Sequence, residues 1–366
     1  MECMAKKDDL VRMLKLASGV ASKRSTMPIL GNVRLTSEEG ALRLSATDLT
    51  TAVSAVIPAQ IRQPGDVTTD AANLLAIMQA APAADVLVRS DDRIGWIEVK
   101  SGKSAWKSNG LPGKDFPTLR DPASARMVEV DASALRTLIE RTLFAAAVAE
   151  SQPHLQGVLF EGDGHVLATV AIDGHRLAKA TATLDMPYAV RAVVPSEGCR
   201  HMAQVLNGVE KAEIGVEHGT YFFLRLPTLW YAHKLLDAHG FPPYERAIPT
   251  AMAYEAVVGR DAAIAAVERV QIAMFRTDGG MHYRLRPGTL ALEAESPLGH
   301  AEDEIELEMA EGTAAAFKMN PAYMLSMLKH APGDKVRLRV GNPTDPVLVE
   351  ALDRMAFAGL VMPMVA

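Results

Sequence analysis

The residues of this 366-residue chain with the most chemistry to offer are ten histidines and two cysteines. No two histidines stand as His-x-x-x-His and none follows a Glu-x-x, so a helical zinc site has no support. Cys3 and Cys199 share no motif spacing and read as free thiols of a reducing compartment. Asp173 and His175 stand two apart, a spacing that suits a shared metal or an acid and base. They flank Gly174, however, and the tip of a tight turn lacks the buried cleft that tunes such groups. The glycines of Glu161-Gly162-Asp163-Gly164 precede a strand-like run and not a helix, so they make no phosphate loop. No Gly-x-Ser-x-Gly elbow is present. The expectation is a chain with no catalytic residues, no metal and no cofactor.

The elements around these residues are more informative. Ile172-Asp173-Gly174-His175-Arg176-Leu177 sits between the alternating runs Val166–Val170 and Leu177–Ala182. A polar turn with glycine at its tip, between such runs, predicts a β-hairpin. The hairpin has counterparts. Thr47-Asp48 precedes Ile172-Asp173 by 172 − 47 = 125 positions, and Ser296-Pro297 follows it by 296 − 172 = 124. Amphipathic helices behind an aspartate cap are expected from Asp9, Asp131 and Asp261. A second helix recurs at Asp70–Ala81, Pro195–Gly208 and Met319–Ala331, and each unit closes on an apolar residue before proline: Phe116-Pro117, Phe241-Pro242 and Met362-Pro363. The first unit shows strand runs at Val33–Thr36, Leu42–Ser45, Val53–Ile57, Val86–Arg89 and Ile94–Val99. Four landmarks in one order at one period predict a triplicated α+β domain, two helices on an antiparallel sheet, and not a short-period solenoid. The expected domains are 1–122, 123–250 and 251–366.

Composition agrees with a globular chain, 49% hydrophobic and 22% charged. No apolar run reaches the roughly 18 residues of a membrane helix, and Met1–Asp9 has no apolar core of a signal peptide. The net charge of −6 argues against a tight nucleic-acid binder and leaves room for loose contact through a local basic surface. The three units carry +2, −3 and −5, from 16 basic against 14 acidic residues, 11 against 14, and 11 against 16. The first is the most basic, and the last holds Glu302-Asp303-Glu304. Complementary first and last units predict a head-to-tail contact between copies, which closes into a ring where the rotation permits. Lys103, Trp106 and Lys107 are the expected basic side, and Ile272 with Glu302, Asp303 and Glu304 the acidic one.

Several stretches, in order along the whole chain, resemble the bacterial sliding clamp, the beta subunit of DNA polymerase III. They are Arg24-Ser-Thr-Met-Pro28-Ile-Leu-Gly-Asn32, Ala46-Thr-Asp48-Leu49, Leu111-Pro-Gly-Lys-Asp115-Phe116-Pro117, Asp173-Gly-His-Arg-Leu-Ala178, Phe241-Pro-Pro-Tyr244 and Val361-Met-Pro-Met364. The resemblance implies the DNA clamp fold: three tandem clamp domains per chain, dimerising head to tail into a six-domain ring with helices around a central hole. It implies a non-catalytic processivity factor of the cytoplasm that encircles double-stranded DNA topologically, without reading its sequence and without contacting a membrane. Its protein partners would be the replicative polymerase alpha subunit, the clamp loader and other clamp-motif peptides.

These peptides would enter a cleft between the second and third domains. Its implied wall is Leu155, Ile172, Gly174, His175, Arg176, Leu177, Pro242, Arg246, Ala247, Asn320, Tyr323, Pro346 and the tail Leu360, Val361, Met362, Pro363 and Met364, with Arg and His as polar anchors on an adaptable apolar groove. DNA contacts would fall at Arg24, Arg12, Lys15, Asn73 and His154, joined by the helix-borne Arg136 and Arg200. The chain departs from the family at Ile172, where threonine is common, at Asn73 and Pro153-His154, where DNA-contacting residues are common, and at Ser196-Glu197 in place of a basic pair. Those departures leave a second reading, a divergent paralogue serving as an inhibitor-resistant or decoy clamp with weakened DNA contact.

Overall fold

A computed structural model describes residues 1–22, 25–91, 95–149, 151–249, 252–274, 279–297, 299–312, 314–352 and 356–364. The chain forms two compact units, Met1–Val130 with Val209–Leu235, and Asp131–Gly208 with Leu236–Ala366.

The first unit carries α1 (Lys7–Val20) and α2 (Ala71–Ala80). α1 buries Leu10, Met13, Leu14, Ala17 and Val20, one stripe at helical spacing. Its N-cap is Lys6, with no side-chain bond, so the expected Asp9 cap is corrected. Asp8 and Asp9 lie inside the first turn, where their charge meets the positive end of the helix dipole. α2 has a true cap, Asp70, whose carboxylate accepts from the Asn73 amide at 2.7 Å.

Among the described residues the strands of this unit join in a twelve-stranded antiparallel sheet. The strand Thr51–Gln63 is its pivot. One side pairs with Ala41–Thr47, while the other pairs first with Leu229–Lys234 and then with Glu2–Lys6. Strands of the second repeat thus extend the sheet of the first. Three strands were not legible as runs: Glu2–Lys6, Asp66–Asp70 and Ser104–Pro112. The second is polar, yet Thr68 and Thr69 are fully buried, because their hydroxyls donate to the Leu111 and Asn109 carbonyls at 3.1 Å.

The second unit carries α3 (Ala132–Thr142), α4 (Ser196–Val205), α5 (Arg260–Val270) and α6 (Pro321–His330). Asp131 caps α3 as expected, accepting from the Ala134 amide at 2.7 Å. α5 is capped by Gly259 without a side-chain bond, and Asp261 lies in its first turn, a second correction to the cap pattern. The repeat is more regular than the sequence landmarks suggested: α2, α4 and α6 begin 196 − 71 = 125 and 321 − 196 = 125 residues apart.

The long hairpin Gly157–Ile172 and Arg176–Pro195 lies at one edge of a seven-stranded sheet, with Phe357–Val361 as the next strand in. A four-stranded sheet runs in the order 299–306, 289–296, 281–286 and 315–319, so Gly299–Glu306 is an edge.

Hairpin tips repeat down to the backbone. Gly174 has φ +88°, and Leu49, one period earlier at 174 − 49 = 125, has φ +75°. Asp48 accepts from the Thr50 and Thr51 amides just as Asp173 accepts from His175 and Arg176. Leucine in the left-handed region carries about 1–2 kcal/mol of strain that glycine or asparagine avoids. Leu49 is 51% exposed and has little packing to lose. Leu49→Asn should therefore stabilise the chain by about 1 kcal/mol, read as a higher urea midpoint at unchanged slope.

Candidate functional site

The tip of the long hairpin is built by one carboxylate. Asp173 Oδ1 accepts from the His175 and Arg176 amides at 3.0 and 2.9 Å, and the Asp173 amide donates to the Arg176 carbonyl at 3.2 Å. Asp173 Oδ2 accepts from Arg176 Nε at 2.9 Å, in a pair only 14% and 17% exposed. Low exposure removes much of the screening that makes surface pairs weak.

The other guanidinium nitrogens reach elsewhere. Nη1 donates to Ser326 Oγ on α6 at 2.7 Å, and Nη2 to the carbonyl of Phe144, just after α3, at 2.9 Å. Arg176 also lies over the Tyr323 ring at 4.9 Å and the Phe144 ring at 5.5 Å. The stack continues at both ends, with His175 parallel to Tyr323 at 5.6 Å and His330 parallel to Phe144 at 4.0 Å. Ser326 Oγ donates to the Tyr323 carbonyl at 2.6 Å, and His330 Nδ1 donates to the Ser326 carbonyl at 2.8 Å. Arg176, expected as a polar anchor at the rim, has its fork engaged inside the protein, where it positions the tip.

The tail runs along this tip. Phe357–Val361 pairs with Arg176–Ala180, after which the Met362 amide donates to the His175 carbonyl at 2.8 Å and the Met364 amide to the Lys318 carbonyl at 2.7 Å. Met362 and Met364 are 45% and 37% exposed. Beneath lies an apolar cluster that includes Leu155, Leu177, Phe241, Tyr244, Leu348 and Leu360, with Ile172, Ile248 and Met252 packed half-buried against it. Tyr244 donates to Glu161 Oε2 at 2.8 Å and lies under the Lys179 ammonium. Burial, then the Glu161 contact, pushes its phenol well above the usual range, so it stays a donor at neutral pH.

Placement of the remaining sequence candidates is uneven. Leu155, Leu177 and Leu360 are buried, and so is Val361, whose side chain lies opposite Val347. That register sets half-buried Pro346 beside Met362. Gly174 is exposed at the tip. Pro242 is half-buried next to Phe241, while Arg246 and Ala247 are exposed on the turn Tyr244–Ala247. Asn320 caps α6, accepting from the Ala322 amide at 2.9 Å. Sequence reasoning missed Phe144, Ser326 and His330, for which spacing gives no signal.

The DNA-contact candidates fall on both compact units. Arg12 and Lys15 are exposed on one face of α1, with Arg12 3.2 Å from Asp9. Asn73 is exposed on α2 and donates to Ser108 at 3.0 Å; His154 is half-buried on the turn Pro153–Leu155. Arg136 is engaged by Glu140 and Asn207, and Arg200 is exposed on α4. Arg24 lies outside the described residues. Lys103 is exposed, Trp106 is half-buried, and Lys107 sits 4.4 Å over the Trp96 ring. Residues Ser104–Asn109 pair on one side only among the described residues. Ile272 is 72% exposed, and Glu302 and Glu304 are exposed. Asp303 is held by Arg269 at 2.6 Å. Among the described residues no group of three or more His, Cys, Asp or Glu is placed to hold a metal ion, and no helix is long and apolar enough to cross a membrane.

Profiles of the N-terminal, central and C-terminal domains of the DNA polymerase III beta subunit match residues 1–120, 129–243 and 245–365. The beta sliding clamp of Pseudomonas aeruginosa is 32% identical over 364 residues, 98% of either chain. The crystal structure of the Bacillus subtilis DNA polymerase sliding clamp has a TM-score of 0.95 at 23% identity, covering 100% of this chain and 99% of that one. The Pseudomonas aeruginosa clamp bound to griselimycin has a TM-score of 0.92 at 28% identity, with 100% of both chains covered. Three tandem clamp domains are thus present, and end-to-end matches to sliding clamps favour the replicative clamp over a divergent paralogue.

Arg176→Lys keeps the charge and loses the planar fork. It should lower the unfolding free energy by roughly 2 kcal/mol, as expected for charged hydrogen bonds at a buried site. An unchanged urea midpoint would show that the fork carries no stability.

Proposed function

The chain belongs to the DNA polymerase III beta subunit family, and from that membership we propose how its surfaces do the work of a sliding clamp. It is a non-catalytic processivity factor that encircles duplex DNA and tethers the replicative polymerase. Domains of 1–122, 123–250 and 251–366 repeat one design. Two copies associate head to tail, the one-sided strand Ser104–Asn109 of one copy lying along the edge strand Gly299–Glu306 of the other. Lys103, Trp106 and Lys107 then face exposed Ile272, Glu302 and Glu304. Exposed strand edges favour such pairing, and the opposed charges set its orientation.

Arg12, Lys15 and Arg200, with Arg24, contact DNA phosphates loosely, and Asn73 and His154 add further contacts. Loose backbone contact is salt-sensitive and carries no base information, which suits sliding. The site of action is the cytoplasm.

Partner peptides enter the groove beside the hairpin tip. They include the tail of the polymerase alpha subunit, the clamp loader and other clamp-motif peptides. The observation that carries this is the exposed Met362 and Met364 tethered beside a buried floor of Leu155, Leu177 and Leu360. Each Leu or Phe of a peptide that buries about 100 Å² of apolar surface contributes roughly 2–3 kcal/mol. Two such anchors, less ordering costs, give micromolar binding and let partners exchange on one ring. Ile172, without a hydroxyl, favours more apolar peptides.

Deleting Met362–Ala366 should abolish binding of a polymerase-tail peptide in fluorescence polarisation while the mass in light scattering stays that of a dimer. Wild-type affinity in the truncated chain would place the peptide site elsewhere.

A further inference from the structure

The chain has 18 methionines, and among the described residues the exposed ones are Met27, Met362 and Met364, at 47%, 45% and 37%. Two of the three stand two residues apart on the tail beside the hairpin tip, at the partner groove proposed above. Their backbones are pinned to the His175 and Lys318 carbonyls, so the thioethers are held at the groove and do not swing away with a free tail. The thiols offer no competing target. Cys3 and Cys199 are both 0% exposed, and burial pushes the Cys3 thiol up to about 11, leaving almost no reactive thiolate at neutral pH.

We propose that Met362 and Met364 form a reversible oxidation site at which a hydroperoxide converts each thioether to a sulfoxide and thereby closes the groove to partner peptides. The proposal rests on the partner-groove reading above. In the step, a sulfur lone pair attacks the outer peroxide oxygen, the O–O bond breaks as the S–O bond forms, and the proton passes to the departing oxygen. Sulfur loses two electrons, the peroxide is reduced, and water or an alcohol leaves. A dithiol-dependent sulfoxide reductase reverses it.

The consequence follows from polarity. A thioether is an adaptable apolar contact, whereas a sulfoxide is a strong acceptor that a partner's Leu or Phe desolvates without offering a donor. Binding should weaken by about tenfold or more.

The test treats the full-length protein with hydrogen peroxide, maps sulfoxides by mass spectrometry and titrates a fluorescent polymerase-tail peptide. Sulfoxide should appear at Met362, Met364 and Met27 before the other described methionines. Bound peptide should protect the first two and not Met27. Affinity should fall about tenfold in the wild type and in Met27→Leu, and return after reductase treatment. The double variant Met362→Leu/Met364→Leu, whatever its starting affinity, should show no further loss on oxidation. Undiminished binding by chain oxidised at both positions, or an equal loss in the double variant, overturns the proposal. If deleting Met362–Ala366 abolishes binding while oxidation does nothing, the groove stands and the oxidation site falls. If deletion itself leaves binding intact, the groove reading fails and takes this proposal with it.

Discussion

The Arg176 guanidinium fixes the geometry on which the proposed partner groove depends. Its nitrogens hold Asp173, Ser326 and the Phe144 carbonyl, so one side chain joins a hairpin tip, α6 and the turn after α3. Asp173 closes the tip and orients the arginine, and the His175 carbonyl is thereby set to receive the Met362 amide. The tail is thus placed by backbone hydrogen bonds, which leaves its methionine side chains as adaptable surface. A groove built this way has rigid supports and a soft lip, a combination suited to several peptides of similar chemistry.

Sheet continuity is the second constraint. The middle repeat lends Leu229–Lys234 to the sheet containing Thr51–Gln63, and Arg176–Ala180 to the sheet containing Phe357–Val361. Successive domains are joined by main-chain ladders as well as by linkers, and those ladders specify register through alternating burial. Two of the strand edges among the described residues, at Ser104–Asn109 and Gly299–Glu306, carry Lys107 on one and Glu302, Asp303, Glu304 and Glu306 on the other. Charged edges deter random pairing and accept a matched one.

Legibility followed locality. The hairpin was readable because a glycine at φ +88° between alternating runs leaves a plain trace, and the second helices were readable because they recur at one period. Asp9 and Asp261 misled as caps, since an aspartate inside a first turn and one at the cap look alike in sequence. Asp66–Asp70 was missed because a strand whose buried side chains are threonines lacks the apolar alternation that signals one. At the hairpin tip and tail, spacing along a chain does not tell a buried side chain from an exposed one. Val361 is buried and Met362 exposed only because the ladder to Arg176 ends there, and the role of Ser326 arises from a contact 150 positions away in sequence.

The −6 net charge argues against tight grip as the means of staying on DNA, and the exposed cations of α1 and of α4 suit loose contact. Persistence must then come from closure of a ring. The most direct measurement loads the protein onto DNA with its clamp loader and follows retention during gel filtration on closed circular and on linearised templates, beside the variant Trp106→Ala/Lys103→Glu. Retention of the wild type on circles, its loss on linearisation, and failure of the variant to be retained on either are the predicted results. Equal retention on circular and linear DNA would contradict encirclement as the basis of function.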